Sequence, residues 1–476
     1  MNTTARTRRV NSASPQVKVN YNLTNEHIFD AFFIFNRAPD LVAFYPENWF
    51  EVNKIEKEKF YYLVNPSNKY TPTSQYDFWQ NAHVFAINGE EIPIYGVSCE
   101  LSMAMAPYLT CLFANPVHNF RSLDFVFISK APYINTLFRL IEICAQVASG
   151  FLVFPSKEVY NRKYSANLSP PVYDFISRIY NMDYNEFINF SKLHNFKMHH
   201  MLTGSHNSIG RRNFMFCASS FGHPGFEILF SCLTPKDIVN LYSALLLEDK
   251  MIVIGDNMFK ITNVIMCLLF MISPFKPCVP LSPILPDIEH TQDLFGSPTP
   301  FIAGFYGTLP GMDEYTSIIN LSTGKLDRAI NSTNIPNASK VAQSLSELIN
   351  NPEYIVPKDP EAKKEFWNEM RDEYLDVCEY EISLDLKYCF KPLVIPKIQK
   401  ILHEEVDFCY SIPKLRVCFD KVEAVKNEVK IIKHKFNEKL FLEHYANGEN
   451  TEFARAIVAT QCFNDFYHSI EDDWNE

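Results

Sequence analysis

The sequence predicts an α/β protein, α+β overall, built as an α+β module, then an α/β layer on a mainly parallel sheet, then a mostly helical segment. Three observations carry this. The chain has 476 residues and is 47% hydrophobic, enough for two to three cores at about 150 residues each. An Asn88-Gly89 pair between two apolar runs marks an early hairpin. A helix, strand, helix, strand succession after Phe226 marks the α/β layer.

The first block runs from about Asn22 to Pro155, and residues 22–155 are expected to form one lobe. His83 to Ile87 turns at Asn88-Gly89 into Ile92 to Ser98, because that dipeptide supplies the positive φ values a tight turn needs. Phe125 to Ser129 reads as a further strand. From about Tyr133 to Val147 the apolar positions Ile134, Leu137, Leu140, Ile141 and Cys144 recur at three- and four-residue spacing, one buried face of a helix. Residues 156–221 shift to Ser, Asn, His, Lys and the Pro170-Pro171 pair, which reads as a connector with a short helix near Val172 to Ile179.

Residues 222–335 are the most legible. Thr234, Pro235 and Asp237 start a helix: Thr accepts from the first free N–H groups, Pro lacks the N–H at its first position, and Asp suits the positive end. That helix runs to about Glu248. Met251 to Ile254 is wholly apolar and ends in Gly255-Asp256-Asn257, a buried strand with a turn after it. A second helix, from about Ile261 to Met271, stops at Ser273-Pro274. Prolines at 274, 277, 280, 283 and 286 then thread toward a short strand at Phe301 to Phe305. In residues 336–476 helices dominate: Val417, Val422, Val425, Val429, Ile432 and Phe436 predict one long amphipathic helix, and Phe453 to Ile470 a second.

Composition and motifs exclude several functions. With 55 acidic against 44 basic residues, net −11, most of the surface repels nucleic acid. The longest apolar run, Val264 to Ile272, is about half a membrane span, so no transmembrane segment is expected. The basic Arg6, Arg8 and Arg9 either touch an anionic surface or belong to a frayed tail. No apolar export segment occupies residues 1 to 20, so a cytoplasmic setting is expected and the 12 cysteines are read as free thiols, without a C-x-x-C pair. No metal and no cofactor is expected. Gly324-Lys325 has Ile319 where a P-loop needs its first Gly, and no G-x-G-x-x-G occurs. Gly96-Val97-Ser98-Cys99-Glu100 lacks the second Gly of a nucleophile elbow. His403-Glu404-Glu405 has Asp407 where a zincin has its second His. His199, His200 and His206 cluster without an acidic or thiol partner nearby.

The central residues carry a resemblance. Leu233-Thr234-Pro235-Lys236-Asp237-Ile238-Val239, Leu245-Leu246-Leu247-Glu248-Asp249-Lys250-Met251-Ile252-Val253, Pro274-Phe275-Lys276, Ile284-Leu285-Pro286 and Ser297-Pro298-Thr299-Pro300-Phe301-Ile302-Ala303-Gly304 closely resemble, in order and spacing, the central segment of DENN domains. Phe85-Ala86-Ile87 to Ile94-Tyr95-Gly96, Ile128 to Phe138, and Phe453 to Phe466 resemble the flanking segments, so the likeness covers about residues 25 to 470. The chain departs at Pro277, where the family commonly has Trp, and about Glu361 to Asn437 matches no family pattern.

The resemblance implies an N-terminal longin-like lobe and a C-terminal α/β lobe that together grip the switch regions of a Rab-family small GTPase, GDP-bound or nucleotide-free, and promote GDP release. It implies vesicle-traffic regulation from the cytoplasm, with recruitment to endomembranes by peripheral association left open. It implies no chemical catalysis by the chain itself. Expected GTPase contacts lie at ends of central elements, where α/β layers carry sites: Lys260, Thr262, Asn263, Asp287 and Glu289. For Thr262 and Asn263 the plainer alternative is a helix start, and for Asp287 turn chemistry. Two other readings stay open: a DENN-like GTPase-activating protein using Arg211 or Arg212 as an arginine finger, and a non-catalytic GTPase-binding scaffold.

Overall fold

The structure, a computed structural model, describes residues 27–36, 41–66, 82–87, 94–102, 122–130, 134–148, 167–182, 225–275, 278–285, 299–307, 316–329, 333–357, 386–388, 394–426 and 429–475, with a few isolated positions between them.

Strands β1 (Ala31–Asn36), β2 (Leu41–Tyr45), β3 (Ala82–Ile87), β4 (Ile94–Ser102) and β5 (Ser122–Ser129) form an antiparallel sheet in the order β2-β1-β5-β4-β3. Two short helices, α1 (Trp49–Asn53) and α2 (Lys57–Val64), follow β2. They pack Trp49, Phe50 and Phe60 around Phe33 of β1, a cluster of edge-to-face and tilted rings. The expected hairpin is present: Val84 pairs with Val97 and Phe85 with Gly96. A Cβ at Gly96 would lie 2.2 Å from the Phe85 ring, so the ring occupies the space a side chain would take. The Asn88-Gly89 turn lies outside the described residues. Helix α3 (Ile134–Ala148) buries Ile134, Leu137, Leu140, Ile141 and Cys144, the face its spacing predicted. Helix α4 (Pro170–Tyr180), the short helix expected in the connector, packs on α3 through an apolar stripe that includes Val172, Phe175, Ile176 and Ile179.

The central segment contains α5 (Gly225–Cys232), α6 (Pro235–Leu246), β6 (Lys250–Gly255), α7 (Met258–Met271), β7 (Leu281–Ser282), β8 (Ile302–Tyr306), β9 (Thr316–Asn320) and β10 (Lys325–Asp327). Its sheet runs β10-β9-β6-β8-β7; all pairs are parallel except the closing β9-β10 pair. Helix α6 starts as predicted: Thr234 Oγ1 accepts from Asp237 N at 3.2 Å and the Asp237 carboxylate accepts from Thr234 N at 3.3 Å, a reciprocal cap behind Pro235. At Gly304 a Cβ would stand 2.1 Å from the Pro283 carbonyl oxygen, so only glycine lets the proline-rich thread lie against β8.

The rest holds α8 (Ala338–Ile349), α9 (Val394–Glu404), α10 (Ile412–Leu415), β11 (Phe419–Lys426), β12 (Val429–Phe436), α11 (Glu438–Tyr445), α12 (Thr451–Ile457) and α13 (Gln461–Asn475). Two expectations fail here. The run from Val417 to Phe436 is an antiparallel ribbon, in which Phe419 faces Phe436 and Val422 faces Lys433, not a helix. Its β-branched residues suit a pleated surface, and their three-to-four spacing fits a helix as well as a strand. Phe453 to Ile470 is two helices broken at Val458 to Thr460.

That break has a local cause. Glu248 adopts φ +57, unusual for a residue with a Cβ, and its carboxylate accepts from the backbone N–H groups of Gln461 and Cys462, both at 2.8 Å. A carboxylate from the central segment thus satisfies the first free donors of α13 and favours its positive end.

Candidate partner-binding surface

Three parallel strands, β6, β8 and β9, end on the same edge of the central sheet, at Gly255, Tyr306 and Asn320. In open α/β sheets the crevice beyond the carboxyl ends of the strands is where binding groups collect. Gly307 closes the edge: its φ of +102 turns its N–H to donate to Gly255 O at 2.9 Å, which holds the ends of β6 and β8 together. Beside it the Tyr306 ring stands 37% exposed, although the strand behind it is buried.

Across the edge Asp256 is exposed, and Asn257 caps α7 by accepting from Lys260 N at 2.9 Å. Cys232, at the end of α5, sits against this corner. Burial pushes its thiol up, the Lys260 ammonium pulls it down and the Asp256 carboxylate pushes it up again, which places both charges within electrostatic reach of one sulfur. The turn after β9 completes the corner: Gly324, at φ +66, would bring a Cβ 2.7 Å from Cys232 O. Thr323 N donates to Asn320 Oδ1 at 3.0 Å and Gly324 N to Asn320 O at 2.9 Å. The result is a surface with an exposed phenol, an ammonium, a carboxylate and fixed backbone turns. These are means of recognition; a nucleophile paired with a base is not among them. Among the described residues no group of three metal-ligating side chains comes together, and no helix is long and apolar enough to cross a membrane.

Of the expected contact residues, Lys260 lies at this corner, half-buried. Thr262 and Asn263 do not; both are fully buried in α7, which corrects their reading as contacts. Thr262 sits instead on the seam between the two sheets. Its hydroxyl donates to Phe259 O at 3.4 Å and accepts from Val84 N at 3.1 Å, so α7 covers the outer edge of β3. Phe138 of α3 meets Phe259 on the same seam, ring centroids 5.9 Å apart. Asn263 Nδ2 donates to Phe259 O at 2.7 Å, while its Oδ1 is buried without a partner. The helix-start alternative is nearer the finding, because one turn earlier Asn257 provides the cap. Asp287, Glu289, Arg211 and Arg212 lie outside the described residues. Sequence reasoning missed Tyr306 and Asp256. The signal was there: an aromatic closing an apolar strand just before a glycine, and the acid of the Gly255-Asp256-Asn257 turn.

Comparison with known proteins places a family on this frame. Residues 128–316 match the DENN (AEX-3) domain, from the end of β5 through α3 and the central sheet to the start of β9. The human protein named DENN domain-containing protein 2B is 23% identical over 149 residues, 30% of this chain and 13% of that protein. Its mouse counterpart is 23% identical over 146 residues, with the same coverage. The mouse protein named DENN domain-containing protein 2A is 34% identical over 97 residues, 20% of this chain and 10% of that protein. The match therefore spans only about an eighth of the length of these relatives. The matched segment contains Thr234, Glu248 and Gly304 and, of the strand-end corner, Asp256, Lys260 and Tyr306, and over those residues the chain is similar to DENN domains.

Proposed function

We propose that the protein is a guanine nucleotide exchange factor for a Rab-type small GTPase, working as a recognition surface without a nucleotide site of its own. The observation that carries the reading is the DENN match over residues 128–316. The strand-end corner of Asp256, Lys260 and Tyr306 supports it by offering exposed, chemically mixed side chains on a rigid edge. An exchange factor acts by binding the nucleotide-free GTPase more tightly than the loaded one, and linkage then weakens nucleotide binding by the same factor. The GTPase switch loop is held away from its phosphate and Mg²⁺ by apolar contact with Tyr306 and polar contact with Lys260 and Asp256, so each side chain contributes in graded fashion. The lobes of residues 22–155 and 222–335, joined at the Thr262 seam, act as one rigid grip, with 156–221 between them and 336–476 bracing the second through Glu248.

The test mixes the protein with Rab GTPases emptied of nucleotide, loaded with GDP, or loaded with GTP. Preferential capture of the empty form supports exchange. Faster GTP hydrolysis instead identifies an activating protein, with Arg211 and Arg212 the first residues to replace. Equal capture of all three forms identifies a scaffold.

A further inference from the structure

The β11-β12 ribbon is tied down at its base, and further out its described side chains are exposed. Phe436 stacks on Tyr467 with ring centroids 4.1 Å apart, Phe419 meets Trp474 at 5.0 Å, and Phe436 N donates to the Glu471 carboxylate at 2.6 Å. Further out, Lys421, Val422, Glu423, Ile432 and Lys433 are all exposed, Ile432 by 64% and Val422 by 43%. A two-stranded ribbon is marginal alone, so the clamp on α13 is what holds this one extended from the surface.

Its chemistry is opposite to that of the chain. Residues 419–436 hold five lysines against three carboxylates, in a protein of net charge −11. They also hold Val422, Val425, Val429, Ile431 and Ile432. The register puts Val422 beside Lys433 and Ile432 beside Glu423, one rung apart, so the two exposed aliphatics stand on opposite faces. A flat protein groove would cover one face and leave the other wet. A bilayer interface entered by the ribbon covers both, with the lysine stems lying along the apolar boundary and their ammonium groups among the headgroups. Lysines along both strands also oppose edge-to-edge pairing with a second copy.

We infer that the β11-β12 ribbon is a docking element for an anionic lipid surface, taking acidic headgroups on lysines such as Lys421 and Lys433 and inserting Val422 and Ile432 at the boundary. The inference does not rest on the exchange reading, and its test contains no GTPase. The full chain is sedimented with phosphatidylcholine vesicles, with and without phosphatidylserine. The wild type is expected to bind the phosphatidylserine vesicles, to release them as salt rises, and to ignore pure phosphatidylcholine. Lys433→Gln is expected to weaken binding about fivefold, and Ile432→Asp about tenfold, at unchanged melting temperature because both side chains are exposed. Absence of wild-type binding to phosphatidylserine vesicles overturns the inference. So does equal binding by the wild type and both variants, or loss of binding only on replacing Arg6, Arg8 and Arg9 by Ala. A dimer in light scattering that Ile432→Asp dissociates while vesicle binding persists also overturns it, by making the ribbon a contact between copies.

Discussion

Replacing Thr262 by Val tests the seam, because it keeps the side chain's shape and removes its hydroxyl. Val84 N–H belongs to the outer edge of β3 and finds its acceptor in Thr262 Oγ1 at 3.1 Å, with both residues buried. Without the oxygen the N–H is left dry and unpaired, a cost of about 1–3 kcal/mol. The amide itself reports the loss of this one bond more directly than global unfolding does. Hydrogen exchange at the Val84 amide is expected to quicken about 5- to 150-fold, the same energy expressed as an opening equilibrium. Thr262→Ser keeps the hydroxyl and loses one buried methyl, about 0.8 kcal/mol, with Val84 still protected. Equal protection of Val84 in Thr262→Val and wild type would refute the claim that this bond closes the edge.

Three further outcomes follow from the geometry. Glu248→Gly removes the α13 cap at a cost of about 1–2 kcal/mol but relieves the positive φ, whereas Glu248→Ala loses the cap and keeps the strain, so urea unfolding should rank Ala below Gly by about 1 kcal/mol. Gly304→Ala forces a Cβ onto the Pro283 carbonyl and should cost about 1–3 kcal/mol or more, seen as a lower melting temperature. His83 is buried, donates from Nε2 to Leu63 O at 3.1 Å, and is pushed down to about 4 by burial. Its folded form therefore binds fewer protons than the unfolded form between pH 4 and 6.5. The stability it supports is complete above about pH 6.5 and is lost as pH falls toward 4, up to about 3 kcal/mol. Melting curves of wild type and His83→Gln should separate over that window, and parallel pH profiles would count against it.

What the sequence revealed depended on whether the signal was local. The Thr234-Pro235-Asp237 start of α6 and the wholly apolar β6 were legible because capping and burial act within a few residues. The role of Glu248 was not, since its partners stand more than two hundred positions later and nothing nearby marks the left-handed backbone that aims it. The β11-β12 ribbon was misread because its valines and isoleucines do not alternate strictly with polar residues, Val422 and Ile432 being exposed, which leaves a spacing that fits a helix as well. At the candidate surface Lys260 was named as a polar residue following a strand. Thr262 and Asn263, two and three positions on, turn inward into the seam, where helical geometry rather than chain distance decides exposure.

The central claim is tested most directly by timing release of a fluorescent GDP analogue from a panel of Rab GTPases, with the wild-type protein and with Tyr306→Ala at catalytic amounts. Faster release from one or a few members is expected, and for Tyr306→Ala a loss of about tenfold or more, as for a truncated aromatic anchor, with melting temperature unchanged. Release at the intrinsic rate from every member would contradict the exchange reading. Full acceleration by Tyr306→Ala would place the working surface somewhere other than the carboxyl ends of β6 and β8.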